Sequence, residues 1–107
     1  MITCEFQRSS GNIRAVAAKG HSDYDEQGMD IVCAAISTLM ISAVNGLTEV
    51  VKLDIQYAID DEGFIQFNIP ELFEEKLLLQ TNAILETLYL GVKSIESEYK
   101  NFIKVIG

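Results

Sequence analysis

Histidine occurs once in the 107 residues, proline once and cysteine twice, and 8 basic residues stand against 16 acidic ones. Each shortage removes a class of protein. One histidine and two cysteines far apart in the chain lack the ligand spacing of a zinc site, so no metal is expected, and nothing implies a cofactor. The basic residues are scattered and form no stripe for a phosphate backbone, so direct nucleic-acid binding is not expected. The chain carries no linker, low-complexity tract or internal repeat, so residues 1–107 read as one domain. The opening MITCEFQRSS lacks a basic region followed by an apolar one, so no signal peptide is read there. The apolar run from Ile31 to Val44 is short for a bilayer and is interrupted by Ser37, Thr38 and Ser42, so no membrane span is expected. Two cysteines without a leader imply reduced thiols and a cytoplasmic location, and no disulfide between Cys4 and Cys33 is expected.

Hydrophobic residues make up 49% and charged residues 22% of the chain, an ordinary globular balance with enough apolar surface for a modest core. The net charge of −8 suits attraction of a basic protein partner.

Alternation over residues 2–8 predicts a strand, Ser9-Ser10-Gly11-Asn12 a hairpin turn, and Ile13 to Lys19 the returning strand. Gly20 opens a loop that continues through Gly28. Asp30 is placed as the N-cap of a helix to about Val50. Its apolar residues lie all around it, which predicts burial on most sides. Small residues (Ala34, Ala35, Ala43 and Gly46) would let neighbours approach. Leu53 to Ile59 and Phe64 to Ile69 predict two more strands around the turn Asp60-Asp61-Glu62-Gly63, and Pro70 closes the second. A long helix should follow over 72–98, with Leu77, Ile84, Leu88, Val92, Ile95 and Tyr99 as its buried stripe. Residues 102–106 suit a short last strand. The order β-β-α-β-β-α predicts an α+β domain with a largely antiparallel sheet. Leu78, Leu79, Leu85, Tyr89 and Leu90 lie off the stripe and predict a homodimer.

His21 precedes Cys33 across a loop. With Asp30 as cap, Cys33 would be the third helical residue, where free N–H groups and the dipole favour a thiolate. His21 can take the thiol proton or rest as an imidazolium beside the sulfur. A fall of about two pKa units needs roughly 3 kcal/mol and makes the thiolate the majority form at neutral pH. The same residues also fit a core cysteine and a surface histidine. Asp30 serves either as cap or as a group orienting His21. Ser37, one turn after Cys33, either lines a pocket or softens an apolar helix. Gly20 and Gly28 serve loop geometry, and Tyr24 either meets substrate or anchors the loop from Ser22 to Met29, a lid by its composition. Cys4 reads as strand core.

The run GHS-x5-G-x-D-I-V-C-A-A-I-S, with AVNGL in the first helix and LETLYLGVKSIESEY in the second, resembles the ribosomal-processing cysteine proteases called Prp. The resemblance covers essentially the whole chain and implies a single dimeric α+β cysteine protease domain. It implies cleavage, after hydrophobic residues, of the N-terminal extension of a precursor large-subunit ribosomal protein. Cys33 then matches the nucleophile, His21 the catalytic histidine and Gly20 the glycine beside it, while Asp30 and Ser37 match positions at the site. Two other functions fit the composition: a non-enzymatic ribosome-associated binding protein, and a thiol redox module in which Cys33 is reversibly oxidised.

Overall fold

The computed structural model describes residues 1–20, 29–60 and 64–107 and, for Met29 and Asp30, the backbone alone. Two strands open it, β1 (Ile2–Ser9) and β2 (Asn12–Lys19). Ser10 at φ 54° and Gly11 at φ 83° make the two-residue turn between them, the pair of positive φ values that matches strand twist.

The hairpin register slips between Gln7 and Arg8: Gln7 faces Ala15 and Arg8 faces Ile13, so Arg14 is an extra, bulged residue. Its carbonyl is not lost to the ladder, since it accepts the Ile69 N–H at 2.8 Å. The bulge explains why Ile13, Val16 and Ala18 are all buried although they break a period of two.

Helix α1 (Met29–Asn45) continues into a π-helical turn, Gly46–Val50. The Val51 N–H reaches the Gly46 carbonyl at 3.0 Å and Lys52, at φ 66°, ends the run. Strands β3 (Gln56–Ile59) and β4 (Ile65–Asn68) come next, then helix α2 (Glu75–Glu98) and strand β5 (Ile103–Ile106). The sheet order is β3-β4-β2-β1-β5, antiparallel except where β5 runs parallel to β1. The α+β class with a largely antiparallel sheet is therefore correct.

Both helices contribute to one apolar cluster with Cys4 and Phe6 of β1, Val16 and Ala18 of β2, and Ile65 and Phe67 of β4. Helix α1 enters it through Val32, Ile36, Met40, Val44 and the following Leu47, helix α2 through Leu85, Leu88 and Val92. Close approach of the helices uses the small residues: a Cβ on Gly46 would lie 3.2 Å from Ile84, and one on Gly91 3.2 Å from Leu39.

Several expectations need correction. Helix α1 is already under way at Met29, so Asp30 lies in its first turn rather than at the cap. Helix α2 starts at Glu75 after an extended Glu74, because the chain is still leaving β4 beyond Pro70. Its seam is Thr81, Leu85, Leu88 and Val92, so Leu85 belongs to the core, and Leu77, Ile84, Ile95 and Tyr99 flank it half-buried. Helix α1 is not buried on most sides: Ile31, Ala34, Thr38, Ile41, Ser42 and Asn45 are exposed. The apolar stretch extends over Ile31–Val50, 20 residues at mean hydropathy 1.8, long enough by length and composition to cross a membrane. Its inner side packs in the sheet's core, as a core helix does.

Candidate active site

The two cysteines are both thiols, not the halves of a disulfide. Cys4 sits mid-strand in β1, 0% exposed. Burial, with a smaller effect from the nearby Glu96 carboxylate, pushes its thiol from 9.0 up to about 12. A sulfur that stays protonated to that pH is no nucleophile, and the strand-core reading of Cys4 stands.

Cys33 lies in the second turn of α1, half-buried against the core cluster. Val32 beside it and Ile36 point into the core, which turns Cys33 and, one turn on, Ser37 to the half-buried side of the helix. Cys33 is the fifth residue of α1 rather than the third. The N–H groups without an acceptor inside their own helix belong to its first turn, one turn before Cys33.

Gly20 is held by its surroundings. It leaves β2 at φ 145°, and a Cβ there would meet the Met1 carbonyl oxygen at 2.3 Å and Ile2 Cα at 2.7 Å. Only glycine fits so near the start of β1. That start is itself anchored by the Ile2 N–H donating to the Phe102 carbonyl at 2.8 Å. The residue before His21 in sequence thus has a fixed place at one end of the sheet. The hairpin register, which pairs Thr3 with Lys19, brings Gly20 opposite Ile2; the alternation of the strand residues gave no signal of how closely the two backbones approach there.

His21, Ser22, Tyr24 and Gly28 lie outside the described residues, as does the Asp30 side chain. The expected pairing of His21 with Cys33 and the proposed lid fall there too. Cys33, Ser37 and Gly20 are the predicted site residues that the structure describes in full.

Among known proteins, residues 1–104 match the family model described as cysteine protease Prp. The ribosomal processing cysteine protease Prp of Staphylococcus aureus (strain Mu50) is 34% identical over 109 residues, covering 98% of this chain and 97% of the relative. The ribosomal processing protease Prp of S. aureus has been solved with a substrate peptide; it superposes with a TM-score of 0.84 at 26% identity over 98% of this chain and 97% of that one. A second structure, with a covalently linked product peptide, gives 0.82 at 27% identity over 99% and 98% of the two chains. The family model, the relatives and the matching fold place the chain among the α+β cysteine proteases. The chain belongs to the Prp family of cysteine proteases.

Proposed function

We propose that this protein is the endopeptidase that removes the N-terminal extension of a large-subunit ribosomal protein, with Cys33 as nucleophile and His21 as its base. One observation carries the assignment: in a member of a cysteine protease family, one of the two thiols is sealed in the sheet, leaving Cys33 as the reachable sulfur. His21 takes the Cys33 proton, and the thiolate attacks the scissile carbonyl carbon. Free N–H groups of the first turn of α1 are suited to hold the oxyanion. His21 then protonates the leaving amine, and water releases the acyl group from sulfur.

The dipole acts most strongly within the first turn of a helix. Cys33 lies one turn in, so the imidazole does more of the activation than a first-turn site would require. The enzyme works in the cytoplasm, where thiols stay reduced and the ribosomal precursor is made.

The working unit is a homodimer through the outer face of the helices. No residue from Ile31 to Thr48 is charged, on a molecule of net charge −8. Leu79 and Leu90, both 65% exposed, continue that face on α2. Between the helices lies a groove of about 390 Å³ lined by Leu39, Ser42, Ala83, Ile84 and Thr87. The hydroxyls of Thr38, Thr87 and Ser94 donate back to carbonyls of their own helix at 2.7–3.0 Å. The face can therefore be dried with little polar cost. A second copy would bring the same uncharged stretch of α1 against it. Sedimentation at micromolar concentration should give a dimer, and Leu90→Glu should shift it towards monomer.

The deciding experiment is incubation with the same organism's precursor ribosomal protein and intact-mass measurement of the product. Cys33→Ala and His21→Ala should leave the precursor whole while keeping the wild-type circular dichroism. Trimming by Cys33→Ala at the wild-type rate would refute the mechanism.

A further inference from the structure

Among the described residues strand β3 forms one edge of the sheet and pairs only with β4, and an unpaired edge offers a row of N–H and C=O groups to any extended chain. The two edges are treated differently. Edge strand β5 carries Lys104 and follows Lys100, the usual guard against unwanted pairing. Edge strand β3 has no basic residue from Leu53 to Gly63; instead Asp54 precedes it and Asp60, Asp61 and Glu62 follow it.

All four residues of β3 are exposed. Tyr57 and Ile59 project on one side, 54% and 50% exposed, next to the buried Phe67 and Ile65 with which they pair. On the other side a hollow of about 270 Å³ is bounded by Gln56, Ala58, Gln66 and Asn68. An added strand would therefore find an apolar shelf for one set of alternate side chains and a carboxamide-lined hollow for the other.

The edge also reaches the end of the sheet that carries Gly20. Ile59 pairs with Ile65, and Ile65 pairs with Ala18, two residues before Gly20. A strand added beyond β3 would lie three inter-strand spacings from β2, about 15 Å. About four or five extended residues cover that distance.

We propose that the open edge of β3 binds the substrate peptide by strand addition, its acidic flanks selecting a basic, extended chain. This rests on the peptidase assignment above and adds the surface that recognises the peptide outside the scissile bond.

Binding tests the edge separately from cleavage. The probe is a labelled 15-residue peptide spanning the extension and cleavage junction of the same organism's ribosomal protein, titrated into full-length Cys33→Ala protein and read by anisotropy. In a strand added to one edge only alternate N–H groups face that edge. N-methylation of every second residue should therefore raise Kd at least tenfold in one register and less than twofold in the other. The double variant Tyr57→Lys, Ile59→Lys, with its fold checked by circular dichroism, should raise Kd for the unmodified peptide by a similar factor. Equal affinity of both methylated peptides and the parent, or wild-type affinity of the double variant, would overturn strand addition. Failure of the wild-type protein to cut a peptide it binds in this register-dependent way would instead overturn the peptidase assignment.

Discussion

At the scale of single residues, the two thiols differ in what surrounds them. Iodoacetamide should add one group to the native protein, at Cys33, and two after unfolding in denaturant; intact mass reads both. A native double adduct would contradict the burial of Cys4. The same burial sets a pH response. The native state holds the Cys4 proton to about 12, whereas the unfolded chain releases it near 9.0. Stability from this group is full below pH 9 and falls between 9 and 12. Cys4→Ala should flatten that alkaline decline, although its cavity costs about 1–2 kcal/mol. Glycine gives a second contrast. Gly11 at φ 83° has nothing within 4 Å of a built Cβ, whereas Gly20 faces the Met1 carbonyl. Gly11→Ala should cost about 1 kcal/mol of conformational strain. Gly20→Ala should cost more and should also abolish cleavage, because it displaces the residue before His21; melting temperature and cleavage rate separate the two effects.

At the scale of elements, polar contacts tie α2 to the strands beneath it. Arg8 of β1 donates Nη1 to Glu86 Oε2 at 2.7 Å and Nη2 to Oε1 at 3.1 Å, and its guanidinium lies 5.0 Å from the Tyr89 ring centroid. The Phe6 and Tyr89 rings meet edge-to-face at 5.1 Å, and the Tyr89 hydroxyl donates to the Gly107 carbonyl at 3.0 Å. Near the end of α2, Glu96 Oε1 accepts from Lys93 Nζ at 2.8 Å and Oε2 from the Val105 N–H at 2.6 Å. The lysine first, then that backbone N–H, holds its carboxyl below the ordinary 4.5. A depressed native pKa stabilises above the unfolded value and is lost as pH falls through the native one. Glu96→Gln should therefore lower the melting temperature by a few degrees at neutral pH, and the difference should shrink below pH 4.5. Sequence periodicity found every one of these elements but shifted their ends. It placed Leu88 and Val92 correctly in the α2 seam but left out Thr81 and Leu85, because spacing alone does not reveal which side of the helix meets the sheet, and it missed the Arg14 bulge because a bulge changes pairing rather than composition.

At the scale of the whole molecule, charge governs encounter. A net charge of −8 should speed association with a basic precursor, through a field that salt screens over about 10 Å at 0.1 M. The cleavage rate at low substrate should fall several-fold between low and high salt, with the rate at saturation little changed. A rate independent of salt would mean that the acidic surface plays no part in substrate capture.

The sequence by itself determined the α+β order, the hairpin turn and the motif around Cys33, because period, turn chemistry and residue spacing are local and survive without coordinates. It also marked Cys33 as chemically distinct from Cys4. Only the tertiary structure decided that Cys4 is sealed, that Gly20 abuts the first residues of β1, and that, among the described residues, α1 has an uncharged side left uncovered and β3 is an edge strand. Each of those depends on which distant segments share a surface, and burial, close approach and edge position exist only once the chain has packed.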